Sequence, residues 1–311
     1  MSHRLTLVVA LVLSSAAIPV VAQEACLPFE NGDGHSPVIT ARVNGQGPFE
    51  FVLDTASSAT TLDASTITRL ALTPDAASEQ AQGMGGEFSV RLFQVAEINT
   101  GPISLYEVTV PEVPAPTLDS HEIVGLGGID LLAGRLTVWR PSASCVGIVP
   151  SGQLPGGEGW VEISVDWIQP WKVMLPVQID GVSGWALLDT GAQKTVMNQP
   201  FAEALDLTAS SGRVREGGQI TGLDGRPLPL FEAEVVKAAI GPWTWSMASV
   251  NIGDLPVFSR LGDPTRPLMI LGMDWLAGRP FAVDYGTQKV WLGTERQHPL
   301  AHPDADPAEV R

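Results

Sequence analysis

The sequence predicts an all-β chain built as two similar lobes, and three observations carry that expectation. Glycine and proline supply 32 and 25 of the 311 residues, which favours turns over long helices. Hydrophobic residues make up 44% and charged residues 17%, the balance of a globular chain. Motifs from the first half also recur, in order, in the second. At 311 residues the chain has room for two domains, each of about 130–150 residues.

Taken in order, residues 1–22 read as a secretory signal peptide. Arg4 is its positive end, Leu5 to Leu13 its apolar run, and Val20-Val21-Ala22 its cleavage site. The run is short for a membrane span and is interrupted by Ser14, Ser15 and Pro19. The expectation is therefore an exported, periplasmic or secreted protein with no stable membrane insertion after cleavage. Residues 23–150 form the first lobe, 151–160 a Gly/Pro-rich linker, 161–294 the second lobe, and 295–311 a polar mobile tail. Strands are expected over Val38–Val43, Val90–Ile98, Val173–Ile179 and Leu230–Ile240, where apolar residues alternate or run together. Gly83-Met-Gly-Gly86 and Gly222-Leu-Asp-Gly225 read as hairpin tips. Helical signals are short, at Asp63–Leu70 and Pro200–Leu205.

The two cysteines, Cys26 and Cys145, lie 119 residues apart. In an oxidising compartment they can pair, tying the N-terminal strand to the end of the first lobe; the alternative is two free thiols. The net charge of −16 leaves no basic stripe for nucleic acid. There is no Gly-x-Ser-x-Gly elbow and no His-Glu-x-x-His helix. His298 and His302 sit in the polar tail, so no metal site is expected, and Gly32-Asp-Gly-His35 reads as a turn.

The repeat locates the chemistry. Gly45 to Ser57, which contains Phe-Val-Leu-Asp54-Thr55-Ala56, recurs from Gly181 as Ala-Leu-Leu-Asp189-Thr190-Gly191. Gly101-Pro102 matches Gly241-Pro242, and residues 128–135 match 272–279 at six of eight positions. The offsets are 135, 140 and 144, the drift expected of two copies with varied loops. An aspartate after an apolar strand is ordinarily a turn former. Two at equivalent positions can meet across a pseudo-twofold axis, where two close carboxylates share one proton.

Asp54-Thr55-Ala56 and Asp189-Thr190-Gly191 resemble the Asp-Thr-Gly motifs of aspartic proteases, and Leu126-Gly127-Gly128 and Ile270-Leu271-Gly272 resemble that family's apolar-apolar-Gly motif. Residues 270–276 are most similar to the retroviral and retrotransposon type. The resemblance spans roughly residues 36–293 and implies two pseudo-symmetric retropepsin- or pepsin-like β-barrel lobes with a cleft between them. It also supplies the shared-proton behaviour of the dyad. By resemblance, Asp54 and Asp189 bind the attacking water, and Thr55 and Thr190 bond across the lobe interface. The amides of Ala56 and Gly191 orient the carboxylates, Leu126 and Leu271 support the loops, and Met84 and Leu223 tip two flaps, unless these hairpins are ordinary surface turns. Ala56 departs from the family's glycine. Asp130 and Asp274 each open a short helical segment and are expected to act as N-caps. The implied activity is that of a monomeric aspartic endopeptidase, an internal pseudo-dimer, acting on peptide or unfolded protein and needing no cofactor. The competing expectation is a weak or inactive module of the same fold that binds or inhibits peptides.

Overall fold

The computed structural model describes residues 24–32, 36–118, 120–168, 171–222 and 225–294. The signal segment 1–22 and the tail 295–311 lie outside the described residues, as does Leu223.

A six-stranded sheet joins the two halves. Its order is Ala25–Pro28, Cys145–Pro150, Arg135–Arg140, Phe281–Asp284, Lys289–Gly293, Trp160–Ile163. Three strands come from each half in mirrored order, so a pseudo-twofold axis runs between Arg135–Arg140 and Phe281–Asp284. At that axis Trp139 pairs with Phe281, and their rings stack 5.0 Å apart. Trp160, the last residue of the expected linker, opens the final strand of this sheet. The preceding segment is tied down by Asp284, which accepts bonds from Ser151 Oγ at 2.6 Å and Gly152 N at 2.7 Å.

Each lobe adds a second sheet. In the second lobe, Lys172–Ile179, Val182–Leu188, Leu268–Leu271, Val196–Met197, Trp243–Ile252 and Pro227–Ile240 follow one another. Pairing of Gln178 with Ala239 and Ile179 with Ala238 closes these six strands into a barrel. The first lobe repeats the scheme with Ser36–Val43, Gln46–Leu53, Ile123–Gly127 and Gly86–Asn99, and Arg42 and Val43 pair with Asn99 and Ile98. There Leu62 makes only a single bridge to Glu112 where the second lobe has a two-residue strand. Alternation drives the burial: Ser36–Val43 ends exposed-buried-exposed-buried, and Lys172–Ile179 ends the same way. The helices are as short as the composition predicts. Ala64–Arg69 is capped by Asp63 Oδ1, which accepts from Thr66 N at 2.9 Å, and Gln199–Ala204 by Asn198 Oδ1.

Cys26 and Cys145 are joined in a disulfide. It links the outermost strand, Ala25–Pro28, to its neighbour in the shared sheet. Among the described residues, no helix is long and apolar enough to cross a membrane.

Candidate active site

Both aspartates sit where a strand runs out. Gln46–Leu53 and Val182–Leu188 are buried at their C-terminal ends, where each lies parallel to a second apolar strand. Leu53 pairs with Gly127, and Leu188 with Leu271. The amide of Asp54 then donates to Gly127 O at 2.9 Å, and that of Asp189 to Leu271 O at 3.2 Å. Each aspartate thus follows directly on the last paired residue of its strand.

The threonines bind the two turns together. Thr55 Oγ1 donates to Leu188 O at 2.8 Å, and Thr190 Oγ1 donates to Leu53 O at 2.7 Å. In return Thr55 N donates to Thr190 Oγ1, and Thr190 N to Thr55 Oγ1, both at 3.1 Å. All four bonds cross the lobe interface and both side chains are buried. A buried polar network is favourable only when fully paired, and this one is.

Within each turn the carboxylate is held by amides of its own loop. Asp54 Oδ1 accepts from Ala56 N at 2.7 Å and Ser57 N at 3.0 Å. Asp189 Oδ1 accepts from Gly191 N at 3.0 Å and Ala192 N at 2.9 Å. The extra methyl of Ala56 leaves its amide bond intact and packs against an apolar cluster that contains Ala192. Gly191 has no such freedom: a methyl there would lie 2.4 Å from Asp54 Cγ. That close approach places the Asp54 carboxylate directly over the second lobe's turn.

Asp54 is 9% exposed and Asp189 7%. Burial raises the pKa of both carboxyls above the ordinary aspartate value, because an ion there gives up hydration. For Asp189 the charge of Asp54 adds to that rise, and both carboxyls are partly relieved by their own loop amides, Asp54 by Ala56 and Ser57 and Asp189 by Ala192 and Gly191. The two carboxyls are coupled, so their protons leave in two steps that belong to the pair.

Asp130 and Asp274 are not N-caps, contrary to the sequence expectation. The caps are Gly128 and Gly272, and neither makes a side-chain cap bond. Instead Asp130 accepts from Thr60 N at 2.9 Å and from Thr60 Oγ1 at 2.8 Å, and Asp274 accepts from Thr195 N at 2.8 Å and from Thr195 Oγ1 at 2.6 Å. The same hydroxyls accept from Gly128 N and Gly272 N. Each carboxylate thus bolts the far end of an aspartate loop to the chain that supports it. A signal for this was present: Thr60 and Thr195 each stand six residues past an aspartate of the pair.

Met84 tips a hairpin between Thr73–Gly83 and Gly86–Asn99. The hairpin reaches the second lobe, where Met84, like Ala56, packs against the cluster that contains Ala192 and Leu230. Arg226 Nη1 donates to Gly85 O at 3.3 Å, and Arg260 pairs with Glu87. The matching hairpin joins Val214–Thr221 to Pro227–Ile240, with the Leu223 position outside the described residues. Beside the cluster, a pocket of about 250 Å³ is lined by Trp167, Met174 and Trp185 together with the charged Asp166, Asp263 and Arg266, and neither Asp54 nor Asp189 lines it. A larger hollow on the second lobe, about 460 Å³ and lined by Pro176, Trp185 and Pro267, contains neither aspartate. Among the described residues, no group of three or more His, Cys, Asp or Glu side chains is placed to hold a metal ion.

The family model for aspartyl proteases matches residues 39–131 and 175–275. The two stretches hold the two aspartates, one each, and coincide with the two lobes. No curated protein matches the chain.

Proposed function

Because the chain belongs to the aspartyl protease family, we propose that it is an exported aspartic endopeptidase whose catalytic pair is Asp54 and Asp189. The observation that carries this reading is the reciprocal threonine bonding, which locks two buried aspartates, one per lobe, at one junction. The division into a first lobe, a linker and a second lobe belongs to the same proposal, as do export and action as a monomer.

In this mechanism a water lies between the carboxyls, with Asp54 ionised and Asp189 protonated. Asp54 takes a proton as the water oxygen bonds to the peptide carbonyl carbon, while Asp189 donates its proton to the carbonyl oxygen. The tetrahedral species then collapses, the C–N bond breaks, and the nitrogen leaves with a proton returned from the dyad. Thr55, Thr190, Ala56 and Gly191 keep the carboxyls in place, and Met84 and Leu223 cover bound peptide from the two hairpins.

Ala56 is the observation that favours an inactive peptide-binding module. Its retained 2.7 Å amide bond to Asp54 weighs against that alternative. The test is hydrolysis of unfolded casein by wild type and by Asp189→Asn. The expected result is a loss of about 1000-fold or more in the variant. Equal hydrolysis by both forms would remove the dyad from the mechanism, and casein binding without hydrolysis by wild type would favour the module.

A further inference from the structure

The two lobes match closely around the aspartates, but the second carries two lysines that the first lacks: Lys194, exposed on the Asp189 loop where the first lobe has Ala59, and Lys172. Lys172 opens the strand Lys172–Ile179 of the second lobe. Its ammonium crosses to the first lobe and donates to Ser58 Oγ at 3.1 Å, four residues past Asp54. The hydrogen-bond registers identify its counterpart. Met174 pairs with Leu187, two residues before Asp189, and Val38 pairs with Val52, two residues before Asp54. Lys172 therefore corresponds to Ser36, which is neutral and buried.

The charges that act on this lysine are those of the aspartate pair. Burial lowers its own pKa, and Asp54 and then Asp189 act in the opposite direction. Tyr285, which follows the strand Phe281–Asp284, also feels the Asp54 charge. Burial first, then that charge, raises its phenol pKa far above the ordinary tyrosine value and keeps it neutral. Asp130 and Asp274 are occupied with Thr60 and Thr195. The Lys172 charge acts on both members of the pair.

We propose that Lys172 is a positioning residue for the aspartate pair, its ammonium anchored on Ser58 so as to favour the singly ionised pair and set the acidity range in which it works. The inference rests on the reading of Asp54 and Asp189 as the catalytic pair. A fixed cation stabilises a nearby carboxylate, so both protons of the pair leave at lower pH than they would without it. Removing the cation moves both steps upward and carries the bell-shaped activity profile with them.

Lys172→Met keeps the length of the stem and removes the charge. The profile of kcat/KM against pH for this variant should move up by about one pH unit. Activity then falls about ten-fold on the acid limb and rises on the alkaline limb, so the two curves cross. A merely structural lesion lowers activity at every pH. Lys172→Arg keeps a cation and should return the profile toward wild type. The same shift should appear in the titration of carbon-13-labelled aspartate carboxyls, a readout that needs no turnover. Should Lys172→Met fail to fold, Ser58→Ala, which only frees the ammonium from its anchor, should move the carboxyl titration in the same direction by less. Carboxyl titrations that stay put in folded Lys172→Met or Ser58→Ala overturn the role of Lys172 even where casein hydrolysis stands. A shifted titration without any hydrolysis upholds the role of Lys172 and removes the endopeptidase reading instead.

Discussion

At the scale of single residues the site carries a tension between chemistry and stability. Asp189 is buried with its pKa well above the ordinary aspartate value, through desolvation first and the Asp54 charge second. An acid whose folded pKa is raised lends stability that is whole below its unfolded pKa and lost as pH rises through the folded value. Asp189→Asn keeps an acceptor for the amides of Gly191 and Ala192 and removes the ionisation. Its melting temperature should match wild type near pH 3 and exceed it at pH 7, on the order of 3 °C or more; scanning calorimetry at both pH values decides this. Thr190→Val should act in the opposite direction. It leaves Leu53 O and the Thr55 amide without their buried partner, at a cost of about 1–3 kcal/mol for each group, so chemical denaturation should show a loss of about 2–6 kcal/mol. Thr190→Ser should recover most of it. The roles of these threonines are legible in the sequence because they are written into the Asp-Thr tripeptide itself. Those of Asp130 and Asp274 are legible only in the threonine that recurs six residues past each aspartate of the pair, because an aspartate at a helix start looks the same whether it caps that helix or reaches a threonine 70 or 79 residues away.

At the scale of elements, the hairpin that carries Met84 shows what a local pattern can and cannot convey. Gly83-Met-Gly-Gly86 predicts a tight turn because Gly86, at φ 125°, adopts a conformation other residues avoid, and the turn forms with Gly83 opposite Gly86. Nothing local predicts that its tip rests on the other lobe. That contact arises when Arg226 reaches Gly85 O and Arg260 reaches Glu87, side chains 141 and 173 residues distant. Lys172 is hidden for a related reason: its equivalence to Ser36 emerges from strand register, not from residue spacing. The Arg260–Glu87 pair is exposed on both sides, so it contributes little to global stability. Its effect should be local. Arg260→Ala should leave the melting temperature within about 2 °C of wild type. Amide exchange should accelerate in Thr73–Gly83 and Gly86–Asn99 and stay unchanged in the shared sheet. Uniform acceleration through the whole chain would show that the ion pair supports the fold rather than the hairpin.

At the scale of the whole molecule, the shared sheet makes the two lobes one body, and its two edges are secured differently. One edge, Trp160–Ile163, is held by pairing with Lys289–Gly293 and by Thr294 N donating to Gly159 O at 2.8 Å. The other, Ala25–Pro28, follows the segment outside the described residues and pairs with a single neighbour, Cys145–Pro150. A short edge strand near a chain end frays unless something ties it down. Here the Arg140–Glu24 ion pair and the Cys26–Cys145 disulfide do so. The disulfide closes a loop of 119 residues, and constraining the unfolded chain over that length contributes about 4–5 kcal/mol. The expectation for Cys26→Ser/Cys145→Ser is a melting temperature lower by about 10 °C. The aspartate pair is anchored through Leu53, Leu188, Thr55 and Thr190, none of which belongs to the edge strand. Casein hydrolysis at 25 °C should therefore stay within about two-fold of wild type while thermal stability falls, because the loss belongs to the unfolded chain and to one edge. A variant with unchanged melting temperature would show that strand pairing and Arg140 hold that edge without the sulfur link. A variant stable at 25 °C but inactive would show that the shared sheet transmits the state of its edge to the junction of the lobes.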